Sequence, residues 1–271
     1  MTIGWDEIAW DGVALPGIAG KVALVTGGTG AIGGRVTMAL AAAGMRVGVM
    51  GRSPDLVHRQ TCEVPPALGD RLLAVPGDVS DPADATDCVE TLVERCGRLD
   101  VLVHAAAIGD SGALLAEMTV AEVDRLHAVN VRGTLLMAQA AAVPMRAQGG
   151  GSMILLASVA AGRAGPRGLM YGATKAAVVR MARQLAIELG PDGIRVNAVS
   201  PGQTPTVLRG VDERPGSPAM ASPGGNEEAI PLRRRGRLDD YAGPVLFLAS
   251  DLAAYVTGTD LLVDGGVAIR R

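Results

Sequence analysis

The chain is nearly without aromatic residues. Its 271 residues include two tryptophans, three tyrosines and one phenylalanine. The core must therefore be filled by Ala, Val, Leu, Ile and Met rather than by stacked rings. Lysine is as scarce: only Lys21 and Lys175 occur, and arginine carries nearly all the other positive charge. Neither sign of charge dominates; the formal net charge of −3 argues against general nucleic-acid binding and against a membrane surface as partner. No uncharged apolar run reaches the roughly 18 residues that a membrane span needs. Cys62, Cys88 and Cys96 form no CxxC pair, and His58, His104 and His127 stand at no metal-ligand spacing with them. These absences lead to the expectation of reduced, mostly buried thiols in a cytoplasmic protein with no metal site. The first twenty residues carry Asp6, Glu7 and Asp11 without a basic start, unlike a secretory leader.

What is present is an alternation. Short apolar runs at Val22–Val25, Val47–Met50, Leu72–Val75, Val101–His104, Met153–Ala157, Ile194–Val199 and Leu261–Val263 read as seven strands. Helical stretches fill Ile32–Ala43, Pro82–Arg95, Val120–Gln148, Tyr171–Leu189 and Asp239–Ser250. Continuous apolar strands separated by helices predict an α/β fold: one doubly wound, Rossmann-type domain with a seven-stranded parallel sheet covered by helices on both faces. Residues 1–20, which hold Trp5 and Trp10, read as an N-terminal arm, and residues 21–271 as the dinucleotide-binding and catalytic domain. Residues 203–230 are rich in Pro, Gly and Ser; a loop of that length in a compact domain is expected to act as a substrate lid.

Thr26-Gly27-Gly28-Thr29-Gly30-Ala31-Ile32-Gly33 follows the first strand and opens the first helix. In that context glycines allow a tight turn and let backbone amides approach a pyrophosphate at the helix N-terminus. An acidic residue after the second strand would bond a ribose 2′-hydroxyl. This chain has Gly51-Arg52-Ser53 instead. Arg52 can take a 2′-phosphate in a bidentate way and Ser53 can add a hydrogen bond, so NADP(H) is favoured over NAD(H). Asp78-Val79, after the third strand, is placed for the adenine edge.

Two rare residue types meet in Tyr171-Gly172-Ala173-Thr174-Lys175, where a spacing of four puts both side chains on one helical face. Hydride transfer to a ketone leaves an alkoxide that needs a proton. A phenol can donate it, but its pKa of about 10 must fall by about 3 units, or about 4 kcal/mol. One cation at about 4–5 Å supplies that much at an effective dielectric near 20.

The same pieces, in the same order, resemble the short-chain dehydrogenase/reductase family: Thr26–Gly33, Asp78-Val79, Asn130-Val131-Arg132-Gly133, Ser158, Tyr171-xxx-Lys175, Pro201-Gly202 and Asp264-Gly265-Gly266. The resemblance covers about residues 20–267 and implies a catalytic tetrad of Asn130, Ser158, Tyr171 and Lys175. Tyr171 would be the proton donor, and Ser158 would bind the substrate oxygen. Lys175 would hold the nicotinamide ribose as well as tune the phenol. Asn130 would bend its helix and help hold a water that relays protons to Lys175. The cofactor set it implies is Gly27, Thr29, Gly30, Ala31, Ile32, Gly33, Arg52, Ser53, Asp78, Val79, Ala105, Ala106, Tyr171, Lys175, Pro201, Gly202, Thr204 and Thr206. Ala31 stands where the family often has a glycine, which is acceptable while φ stays negative. His104-Ala105-Ala106-Ala107 replaces the common Asn-Asn-Ala-Gly, and His104 reads as a satisfied structural histidine.

The resemblance implies an NADP(H)-dependent interconversion of a ketone and a secondary alcohol, with reduction the expected direction. The alternatives are NAD-dependent alcohol oxidation and a catalytically silent nucleotide sensor. The partner is a small-molecule carbonyl or alcohol, with specificity in the lid and at Ser111, Val159, Ala160, Gln203 and Val207. Acyl-carrier-protein reductases are similar family members, and Arg233-Arg234-Arg235 with Arg237 could hold the anionic tail of a carrier- or coenzyme A-linked substrate. A homotetramer or homodimer is also implied, using the helices at 121–148 and 171–189. Small residues there (Ala138, Ala140, Ala141, Ala176, Ala177) suit either a subunit contact or the core.

Overall fold

The computed structural model describes residues 15–205, 207–208, 220–221 and 227–270. Trp5, Trp10 and Thr206 lie outside them, as does most of the expected lid. The strands are β1 (Val22–Thr26), β2 (Arg46–Met50), β3 (Leu72–Ala74), β4 (Val101–His104), β5 (Gly151–Leu156), β6 (Ile194–Pro201), a short antiparallel pair β7 (Val207–Leu208) and β8 (Met220–Ala221), and β9 (Asp260–Val263). Seven of them form one sheet in the order β3-β2-β1-β4-β5-β6-β9, every pairing parallel. The order reverses beside β1, between the β1 and β4 ends, which is where open α/β sheets bind ligands.

The continuous apolar runs have a direct cause. Successive residues of a strand face opposite sides, and both sides here are covered. Val22 and Leu24 of β1, Leu102 of β4, and Met153 and Leu155 of β5 pack into one core; Ala23, Val25, Val101, Val103, Ile154 and Leu156 pack into the other. Both cores are aliphatic, as the composition requires: Tyr241 is the one aromatic among the buried apolar residues described.

The helices are α1 (Ala31–Ala42), α2 (Pro54–Cys62), α3 (Pro66–Gly69), α4 (Pro82–Cys96), α5 (Val120–Leu126), α6 (Gly133–Ala147), α7 (Leu169–Leu189) and α8 (Asp239–Ala249). α4 shows why its boundaries were legible. Asp81 caps the amides of Ala83 and Asp84, Pro82 occupies the first turn, and Gly97 ends the helix at φ +80°. The pattern did not predict α2 and α3, which are short and carry little apolar periodicity. The stretch expected as one helix from Val120 to Gln148 is divided by a π-helical segment at His127–Arg132, and Asn130 lies in it. Among the described residues no helix is long and apolar enough to cross a membrane. The expectation of mostly buried cysteines is corrected: Cys88 is buried, Cys96 half-buried and Cys62 exposed, all three free.

Candidate active site

The phosphate end is built by the turn between β1 and α1. Gly27 has φ +63°, and a side chain there would press on the Ala106 amide at 2.8 Å, so only glycine fits. Gly30 caps α1 without any side-chain hydrogen bond, and no acidic residue stands in the first turn. The first amides of a twelve-residue helix are thus left for an anion. Ala31 begins the helix, and φ is negative there, as Arg233 is the only described non-glycine residue with positive φ. Thr26, buried between β1 and β4, bonds His104 Nδ1 at 2.9 Å and accepts from the Ala106 amide at 3.2 Å. This hydroxyl ties the turn to the Ala105-Ala106 segment that replaces the usual asparagine.

A cavity of about 450 Å³ opens over this turn. Gly27, Thr29, Gly30, Ala31, Ile32, Gly33, Arg52, Ser53, Asp78, Val79, Ala105 and Ala106 all line it, so twelve expected cofactor residues are brought together. Arg52 is exposed and has no hydrogen bond or ion pair among the described residues. Ser53 caps α2 through the Leu56 amide at 3.4 Å, which leaves its hydroxyl proton to donate. Asp78 accepts from the Ser80 amide and hydroxyl at 2.9 and 2.7 Å through one carboxylate oxygen.

The chemical end adjoins it. A cleft of about 860 Å³ is lined by Ser158, Tyr171, Lys175, Pro201, Gly202 and Thr204, and it meets the first cavity at Ile32, Ala105 and Ala107. Ser158 lies just beyond β5 and Tyr171 in the first turn of α7. Gly172 lets them approach, because a side chain there would meet the Ala160 carbonyl at 2.9 Å. The Ser158 hydroxyl accepts from the Ala160 amide at 3.2 Å and faces the same cleft as the Tyr171 phenol, whose pKa it lowers. Lys175 is buried, donates to the Leu156 carbonyl at 2.6 Å and holds its Nζ 5.9 Å from the centre of the Tyr171 ring.

The electrostatics differ from the simple expectation. Burial pushes the Tyr171 phenol up to about 12; the Ser158 hydroxyl opposes this and the Asp110 carboxylate adds to it. Burial also brings Lys175 down to about 8. Desolvation thus dominates at Tyr171, where the lysine charge was expected to bring the phenol toward 7.

Asn130 lines neither cavity. It is buried, and its side chain bonds both the amide and the carbonyl of Ile108 at 2.9 Å and the Thr174 hydroxyl at 3.0 Å. It thereby joins the nucleotide wall, which includes Ile108, to the helix carrying Lys175. Thr204 lines the cleft, but its hydroxyl is engaged with Tyr241 and the Gly202 carbonyl. His104 is only half satisfied: Nδ1 is paired with Thr26, while Nε2 is buried without a partner. Burial first, and then the charge of Lys175, push it down to about 3.

Of the expected specificity positions, Val159, Ala160 and Gln203 line the cleft. Ser111 does not; it is spent on Glu122. Only the backbone of Val207 is described. The basic cluster also lies elsewhere: Arg233, Arg234, Arg235 and Arg237 line neither cavity, and Arg234 is paired with Asp240 at 2.5 and 2.9 Å. Asp110, Arg163 and Arg167 were not among the expected site residues, because loop residues carry no periodicity; Gln203 was expected in the pocket, but not that its Oε1 is buried without a partner.

A nicotinamide dinucleotide fits these residues: the uncapped turn suits its diphosphate, and Gln203 Oε1 awaits a hydrogen-bond donor. The comparisons agree. The family profile described as Enoyl-(Acyl carrier protein) reductase matches residues 27–268. The chain is 40% identical over 253 residues to the L-rhamnose 1-dehydrogenase (NAD(P)(+)) of Sphingomonas sp. strain SKA58, covering 93% of this chain and 98% of that one. It is 35% identical over 256 residues to the D-threitol dehydrogenase of Mycolicibacterium smegmatis, covering 93% and 94%. The structure of the 3-ketoacyl-(acyl-carrier-protein) reductase of Brucella melitensis, complexed with NADH, superimposes with a TM-score of 0.82 at 33% identity over 93% of this chain and 99% of that one. With its sheet order, glycine turn and Ser-Tyr-Lys cleft, the chain belongs to the short-chain dehydrogenase/reductase family, nicotinamide-dependent oxidoreductases.

Proposed function

We propose that the protein is an NADP(H)-dependent oxidoreductase that interconverts a small-molecule ketone and a secondary alcohol, in the reductive direction. The observation that carries this is the gathering of Ser158, Tyr171 and buried Lys175 in one cleft continuous with the nucleotide cavity. The cofactor, when bound, supplies the hydride. Ser158 orients the substrate oxygen, and Tyr171 gives it a proton as charge develops there. A phenol held near 12 carries its proton at neutral pH, so Tyr171 has a proton to give once bound groups lower that value. Lys175 sits where its charge stabilises the phenolate left behind, and Asn130 fixes the helix that carries it. Arg52 and Ser53 favour the 2′-phosphate of NADP(H). Thr204 supports the cofactor wall through the Pro201-Gly202 backbone.

The dehydrogenase names of the relatives, and the NADH in one of them, favour a second reading: alcohol oxidation with NAD, by the same residues in reverse. A carrier-bound substrate draws no support from Arg233–Arg235, which lie outside the cleft. For the assembly, large apolar side chains on the proposed interface helices (Leu135, Val143 and Ile187) are exposed, whereas Ala138 and Ala141 are buried within the chain; a homodimer or homotetramer would cover the exposed residues. Residues 15–20 of the proposed arm dock on the domain, through buried Ile18 and the Gly20–Gly44 hydrogen bond. The cytoplasm suits the free thiols.

The test is Tyr171→Phe, assayed with ketones and alcohols and titrated with NADPH and NADH by fluorescence. Turnover should fall about 10²- to 10⁴-fold with cofactor affinity unchanged. Undiminished turnover would remove Tyr171 from the mechanism.

A further inference from the structure

The cleft has an unbalanced charge. Its described lining includes Arg163, Arg167 and Lys175 and not one carboxylate. Lys175 is committed beneath Tyr171. The two arginines lie in the loop between Ser158 and Tyr171 and line the same cleft as both. Both are exposed side chains held by a single tether: Arg163 Nη1 donates to the Val267 carbonyl at 3.1 Å, and Arg167 Nη1 donates to the Gly112 carbonyl. A guanidinium has five N–H donors in a planar fork, so most of each fork is left for a ligand.

The neighbouring acids do not neutralise them. Asp110 accepts from the Tyr171 and Gly112 amides, Glu117 from the Leu114 amide, and Glu122 from the Ser111 amide and hydroxyl. Glu117 and Glu122 are turned onto the 110–122 segment and Asp110 onto that segment and the start of α7, and none lines the cleft. The start of α7 adds nothing to this charge, because the Asp110 carboxylate already takes its Tyr171 amide. A neutral polyol would want acceptors for its hydroxyls; the Arg163–Arg167 segment offers donors, and the cleft's one described amide acceptor is Gln203.

We propose that Arg163 and Arg167 form a carboxylate subsite, and that the substrate is an anionic hydroxy or oxo acid whose carboxylate lies a few carbons from the reacting centre. This rests on the carbonyl–alcohol reading above. It sets the chain apart from relatives named for neutral sugars and alditols. A planar fork matches a carboxylate in two parallel hydrogen bonds.

The experiment compares matched pairs that differ in charge: threonate with threitol, and 3-hydroxycyclohexanecarboxylate with cyclohexanol. For each pair the ratio of kcat/KM, acid over neutral, is measured in the wild type, in Arg163→Gln/Arg167→Gln and in Arg163→Lys/Arg167→Lys. The wild type should prefer the acid. The glutamine variant should lose that preference by about 10- to 100-fold, mainly through KM. The lysine variant should keep most of it, because charge remains although the guanidinium tethers are gone; a purely structural role would make both variants fall together. Preference for the neutral partner, or a ratio the glutamine variant leaves unchanged, would overturn the subsite while leaving the oxidoreductase reading intact. Absence of turnover with all four compounds would count against that reading instead. Calorimetric titration of threonate into the NADPH-loaded protein then decides the subsite alone: binding lost in the glutamine variant supports it, and no binding by the wild type overturns it.

Discussion

The Asp110 carboxylate accepts a hydrogen bond from the Tyr171 backbone amide at 3.1 Å, and its charge helps raise the pKa of that residue's own phenol. One buried acid therefore positions the first turn of α7 and keeps the phenol protonated. Its other oxygen takes the Gly112 amide at 3.2 Å, so the loop at the cleft mouth and the catalytic helix share a single anchor.

Asp110→Asn should separate these two effects. Removing the charge removes a cause of the raised phenol pKa, so the Tyr171 ionisation should move to lower pH. An amide can accept from one of the two N–H groups while its own NH₂ faces the other, at a cost of about 1–3 kcal/mol. Alkaline absorbance titration, read as the difference from the Tyr171→Phe protein, gives the first quantity and urea unfolding the second. An unmoved phenol transition would mean that Asp110 acts on Tyr171 through its backbone alone.

Arg52 stands exposed at the nucleotide cavity without a hydrogen-bond or ion-pair partner among the described residues, so changing it should alter cofactor choice with little cost to the fold. Arg52→Asp places a negative charge where a 2′-phosphate would lie. NADPH should bind at least about 10-fold more weakly, the scale of one charge-assisted pair, while NADH affinity holds or rises. Parallel fluorescence titrations check this; equal weakening of both cofactors would remove Arg52 from the choice between them.

His104 predicts a specific acid sensitivity. Its folded pKa of about 3 lies below the ordinary 6.5, so between those values the unfolded chain binds the proton and the folded one does not. Stability should fall as pH drops from about 6.5 toward 3, by about 1.4 kcal/mol per pH unit from this group. His104→Asn should show a correspondingly flatter profile in urea unfolding between pH 7 and 4.5. Parallel profiles for the two proteins would show that the ring accepts its proton when folded.

Asn130→Ala should act at two places at once. It strands the Ile108 amide and carbonyl, both bonded by Asn130, and frees Thr174 one residue from Lys175. Two buried groups without partners cost about 2–4 kcal/mol together. Thermal unfolding should record that loss, and NADPH affinity should weaken because Ile108 lines the nucleotide cavity. A stable variant with unchanged affinity would return Asn130 to an ordinary helix position.

Much of this molecule was determined by its sequence. The strands were legible because each reads as an unbroken apolar run; the central ones are buried on both faces, while the edge strands β3 and β9 are only half-buried. The phosphate turn was legible because a backbone that must approach another backbone admits only glycine, and Tyr171 and Lys175 because one helical turn sets their separation locally. Helices α2 and α3 were not legible, since short polar segments carry no period. The balance of charge in the cleft was decided by tertiary structure alone. Asp110, Arg163 and Arg167 sit in loops, where spacing says nothing of direction; only packing turned the acids onto amides and left the arginines at the wall. The same holds for the pKa of Tyr171, because desolvation depends on everything that surrounds a group, and the sequence names only its neighbours along the chain.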